Sequence, residues 1–200
     1  MTSGRSTRIR NWYRLPKIKD MAGYIAYIVL IAILGVVIYQ DFRFRAVSWV
    51  VFPVLLAAAV ALGLRQTGSA ELLESSIINL GVLALMFAGL TIYFSIRERA
   101  LVNIVNRYIG IADILLLAVI AVLFSPVNFI MYYMGSLALI TAGSLIYLVL
   151  KKDVNAEIPL AGAFAITLAA CLVFNGVNGA VSLYDDALAL ELLNPFLFTT

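Results

Sequence analysis

Long apolar runs, broken only by short charged clusters, constrain this chain more than any other feature. They cover about 22–40, 47–64, 76–95, 109–124, 128–150 and 158–174. A helix needs about 20 apolar residues to cross a bilayer's hydrocarbon core. Within 200 residues, 64% of them hydrophobic and only 12% charged, there is room for about six such helices and little else. The expected fold is an all-α membrane protein, a polytopic bundle of about six transmembrane helices. The division that follows is a basic N-terminal tail at 1–20, a six-helix core at 21–175 and an acidic C-terminal tail at 176–200. Net charge +3 is accounted for by cations flanking the spans, so nucleic acid is not an expected partner and the lipid bilayer is.

Composition removes several chemistries. The chain has no histidine, which excludes Ser-His and Cys-His nucleophile pairs and the commonest metal ligand. Its one cysteine, Cys171, lies in an apolar run, where a packed thiol is the expected role. It cannot close an internal disulfide or build a cysteine metal site. No metal and no cofactor is expected, and any acid–base work falls to carboxylates.

Between the runs, each segment has an ordinary reading. Arg5, Arg8, Arg10, Arg14, Lys17 and Lys19, with Trp12 and Tyr13 among them, suit a membrane-surface tail. A signal peptide fits poorly, because the run that follows is too long and has no small-residue cleavage site. Pro53 is tolerable inside a membrane helix. Arg97–Tyr108 carries Leu101, Val102, Ile104 and Val105 at roughly helical spacing, which predicts an amphipathic turn or two on the membrane. Ser125-Pro126 predicts a tight turn. Ala138 and Ala142 could support a close helix contact, and Tyr132 and Tyr133 suit core packing or lipid. Asp185, Asp186 and Glu191 belong to a tail read as weakly helical, solvated or interfacial.

Asp113 departs from this pattern. It stands about one turn inside an apolar run, after Gly110-Ile111-Ala112. An Asp at the centre of a membrane helix costs roughly 2.5–3.5 kcal/mol on insertion scales, and less near an end. Such residues usually face the bundle interior and mark function. The helix dipole also favours an Asp in a first turn, so position alone is compatible with a simple cap. A partner elsewhere has to decide. Asp41 closes the first run and Asp113 opens the fourth, with two crossings between them. An even number of crossings returns the chain to the same side, so both carboxylates share one membrane face.

Two carboxylates in one site cannot both ionise easily; the pair holds one proton and offers an acid and a base together. That is the equipment of an aspartic protease. The surrounding residues carry a resemblance. Asp41-Phe42-Arg43-Phe44-Arg45-Ala46-Val47 resembles the first-aspartate motif of the type IV prepilin peptidases. Gly110-Ile111-Ala112-Asp113 resembles the Gly-x-Gly-Asp motif they share with presenilin-like proteases, and Ile158-Pro159-Leu160-Ala161-Gly162 resembles their proline-containing segment. This chain carries Ala112 where the family has its second Gly, Ile114-Leu115 for the frequent Lys-Leu, and Ser48 and Gly162 where Pro is common. The four-cysteine zinc module of longer members is absent from the sequence.

The resemblance implies a short, core-only GxGD aspartic endopeptidase. Asp41 and Asp113 would be catalytic, with Gly110, Ala112 and Pro159 as motif support. The implied substrate is a prepilin-like membrane protein of type IV pilus or protein-secretion systems, cut at its leader. The implied location is the inner (plasma) membrane, multi-pass, with the site at the cytoplasmic face. Loop charge agrees: Arg43, Arg45, Arg97, Arg99, Arg107, Lys151 and Lys152 lie on the aspartate side and Arg65 on the other. The six cations of the N-terminal tail count against that orientation. The same two acids would also serve a non-catalytic protein, either a small transporter with a proton relay or an assembly subunit with both aspartates as caps.

Overall fold

The computed structural model describes residues 21–101, 103–105, 107, 109–151, 159–178, 183–184 and 186. The basic stretch 1–20, the 152–158 connection and 187–200 lie outside the described residues. The chain forms six helices: α1 (Met21–Phe44), α2 (Val51–Gln66), α3 (Ser69–Glu98), α4 (Ile111–Leu123), α5 (Pro126–Lys151) and α6 (Leu160–Asn178). Among the described residues there is no strand, only an isolated bridge between Val105 and Ile109. This is an all-α bundle, and its helices coincide with the six apolar runs.

The helices are of two kinds. α1, α3 and α5 are long and apolar enough to cross a membrane. α2, α4 and α6 are apolar but shorter, at 16, 13 and 19 residues. At 1.5 Å per residue α4 is only about 20 Å long, against a hydrocarbon core of about 30 Å. α4 is also the most enclosed: Leu116, Leu117 and every residue from Val119 to Leu123 are buried. It packs against α2, α3 and α6, whereas α5 packs mainly against α3 and α6 among the described residues.

The seam between α1 and α6 positions the site. On α1 the buried stripe runs Ala26, Leu30, Leu34, Val37, Asp41, at helical steps of three and four. On α6 it runs Ala161, Ala165, Leu168, Leu172, Asn175. The helices are antiparallel, because the Tyr27 hydroxyl donates to the Leu172 carbonyl near one end while Asp41 meets Gly162 at the other. Asp41 therefore continues an apolar seam as its last buried member. Small α6 residues permit a close approach, so dispersion contacts can hold the pair where water drives no association.

Several connections differ from expectation. α3 runs unbroken to Glu98 and stops at Arg99, which takes the left-handed conformation. The link that follows is not an amphipathic helix among the described residues: Leu101 is exposed, Ile104 is buried, and Arg107 pairs with Glu98 at 2.8 Å. In place of the expected amphipathic turn or two, the described backbone makes local bonds such as Ile109 N–H to Ile104 O at 3.1 Å. Ala138 and Ala142 are both exposed, so they support no contact within the chain. Of the C-terminal segment, Leu183 and Tyr184 are buried rather than solvated. The Ser125 N–H donates to Leu183 O at 2.9 Å, which ties this segment to the α4–α5 turn.

Candidate active site

Asp41 lies in the last turn of α1. Arg45, in the left-handed region at φ 53°, closes that helix by donating its N–H to Asp41 O at 3.0 Å. The chain then folds back, and Ser48 N–H donates to the Gln40 side chain at 2.9 Å. The Asp41 side chain points inward and is only 8% exposed. Its Oδ2 accepts the Gly162 N–H at 2.5 Å. Gly162 is the third residue of α6, a position whose amide has no partner within the helix. Pro159, at the start of α6, has no polar side chain to cap it, and Asp41 performs that role from another helix.

The approach depends on glycine. A Cβ on Gly162 would fall 2.7 Å from the Phe42 ring and 3.1 Å from Asp41 Oδ2. A side chain there would have to push the Phe42 ring aside and crowd the Asp41 carboxylate.

Asp113 is the third residue of α4 and half-buried. Its Oδ2 accepts the N–H of Gly110 at 3.0 Å, the reach-back half of a capping box. A Cβ on Gly110 would crowd that oxygen at 3.1 Å. Ala112 turns its methyl group to the core. Asp113 also feels the charge of Asp41 and the N–H of Ala161, the residue before Gly162. The two expected site residues, from the first and fourth helices, thus both lie near the start of α6, Asp41 on the Gly162 amide and Asp113 within electrostatic reach of Asp41 and Ala161. Pro159 belongs to the same turn, its carbonyl accepting the Ala163 N–H at 3.1 Å.

Two helix N-termini, those of α4 and α6, converge on the pair, and both dipoles favour negative charge there. The Gly162 amide is the one hydrogen-bond partner of the Asp41 side chain among the described residues. No group of three or more His, Cys, Asp or Glu side chains among the described residues could hold a metal ion.

The amides of Ala161 and Gly162 were not foreseen. A backbone donor has no sequence signature, though small residues behind a proline are a usable hint. Also unforeseen is Asn79, fully buried in α3, whose amide donates to Ala121 O at 2.8 Å and Phe124 O at 2.7 Å. It caps the far end of α4, and its signal was a lone Asn in an apolar run. Comparison with known protein families, curated proteins and solved structures finds no match to this chain.

Proposed function

We propose that this protein is a membrane-embedded aspartic endopeptidase of prepilin-peptidase type, with Asp41 and Asp113 as its acid–base pair. The observation that supports this reading best is the Asp41 carboxylate held on the Gly162 amide with Asp113, from another helix, within its electrostatic reach. In the proposed reaction the ionised carboxylate takes a proton from water, and the resulting hydroxide attacks the scissile carbonyl carbon. The protonated partner donates to the carbonyl oxygen as the tetrahedral intermediate forms. A proton then passes to the leaving amine, and the C–N bond breaks. The substrate is a prepilin-like protein whose leader meets a hydrophobic helix. The site faces the cytoplasm from a six-span bundle in the plasma membrane, an orientation favoured by the arginine-rich loops on the aspartate side.

A cap role for Asp113 has its own support in the Gly110 bond. The two readings part on chemistry. The test is processing of a prepilin-like substrate by purified wild type, Asp41→Asn, Asp113→Asn and the double variant, with thermal stability followed alongside. A peptidase loses cleavage in either single variant, and the double variant is little worse, because members of one unit are not additive. Its pH profile shows two apparent constants that belong to the pair. A cap loses stability and no chemistry. A proton relay shows no cleavage in wild type.

A further inference from the structure

We propose that Gly162 is a positioning residue: its N–H and its missing side chain together set where the Asp41 carboxylate stands relative to Asp113. The inference rests on the peptidase reading for its kinetic arm only.

Three observations carry it. The Gly162 N–H to Asp41 Oδ2 contact, at 2.5 Å, bridges 121 positions of sequence and is buried. It is the only hydrogen bond of the Asp41 side chain among the described residues. The contact exists because α6 enters against Phe42 and Asp41 with no Cβ in the way. The preceding amide, Ala161, bears on Asp113. The Gly162 amide thus holds Asp41 while its neighbour Ala161 lies by Asp113, and consecutive Cα atoms are about 3.8 Å apart. The first turn of α6 acts as a template for the separation of the pair.

The experiment separates the donor from the space. Gly162→Ala keeps the N–H and adds the colliding Cβ. Phe42→Ala/Gly162→Ala keeps the N–H and removes the ring that the Cβ meets first. Phe42→Ala/Gly162→Pro removes the same ring and also the N–H, at a first-turn position where helices tolerate Pro. Misplacing a reacting group by about 1 Å can cost about 10²-fold. Gly162→Ala should lose kcat on that scale with KM held, and should move the apparent constants of the pH profile. Phe42→Ala/Gly162→Ala should recover most of kcat, and Phe42→Ala/Gly162→Pro should not. Recovery by both double variants, or by neither while both stay folded, overturns the proposal. So does a Gly162→Ala enzyme whose folded fraction turns over normally.

Carbon-13 NMR of carboxyl-labelled aspartate gives a reading independent of cleavage, with the Asp41 signal assigned through Asp41→Asn. That signal should shift in Gly162→Ala and return in Phe42→Ala/Gly162→Ala. An Asp41 signal indifferent to Gly162→Ala overturns the positioning role. A wild type that cleaves nothing while the signal responds overturns the peptidase reading and leaves the positioning role standing. Should the proline variant fail to fold, Gly162→Ala and its rescue decide alone.

Discussion

The same device appears at both ends of this bundle, with opposite consequences. At one end the Asp41 carboxylate accepts the N–H of Gly162, the third residue of α6. At the other, Asp186 Oδ1 accepts the N–H of Asn128, the third residue of α5, at 3.2 Å. Each carboxylate comes from far along the chain and caps a helix that starts beside a proline, Pro159 or Pro126. The neighbours differ. Asp186 is met by a donor, the Ser125 hydroxyl at 2.5 Å. Asn128 adds a bond to that hydroxyl at 2.9 Å, and the group closes on itself. Asp41 is met by Asp113, a second acid, which can donate only when it carries a proton. Asp186 thus accepts from two donors, and Asp41 from one, beside a second acid. On the proposed reading, the residue next to the cap separates a structural acid from a chemical one.

The largest expected effect tests that contrast directly. Asp41→Asn or Asp113→Asn should lower cleavage by at least about 10²–10⁴-fold. Stability should change little, since Asn retains an acceptor for the Gly162 or Gly110 amide and removes a charge that is costly to bury. Near-normal processing by either variant would make the two ends alike and end the comparison. Asp186→Ala should do the reverse. It strips the acceptor from Ser125 and Asn128, costs about 1–2 kcal/mol of stability, and leaves cleavage by the folded protein intact. Thermal unfolding read beside turnover would check this, and a variant of normal stability would show that Asp186 is no clamp.

Asn79→Ala should be milder. It removes both bonds to the α4 carbonyls, and interhelical hydrogen bonds in membranes average about 0.6 kcal/mol each. A loss of about 1 kcal/mol is expected, read as a lower unfolding midpoint, because the unpaired Asn79 Oδ1 disappears as well. If turnover falls with it, the far end of α4 reaches the dyad through the helix. The smallest effect is Ala112→Gly. The Ala112 methyl group packs on the core rather than on the carboxylate, so turnover should stay within about twofold or rise slightly as the family residue is restored. Inactivation by this change would mean that the first turn of α4 relies on the methyl group.

Much of this was legible in the residues. The helices follow the apolar runs because no other backbone arrangement satisfies its own N–H and C=O groups in lipid, short of a closed barrel. Asp41 and Asp113 could be assigned to one face by counting crossings, since each crossing reverses the chain. The loop charges that suggested an orientation were equally plain. The link after α3 was misread, because Leu101 and Ile104 share a helical spacing that only a continuous run of backbone hydrogen bonds could have realised. That run ends at Arg99, where the chain turns left-handed.

Other features belong to the tertiary structure alone. Parity puts two carboxylates at one level but says nothing of what holds Asp41, which depends on how closely α6 enters beside α1. That closeness comes from a missing Cβ at Gly162, and its meaning appears only when Phe42 and Asp41 lie across from it. The burial of Leu183 and Tyr184 is of the same kind: with Asp186 they read as part of a tail until Ser125 and Gly63 are found to receive them. Apolar periodicity is a property of one helix and is written along the chain. A hydrogen bond from a backbone amide to an acid 121 positions away is a property of two, and packing decides it.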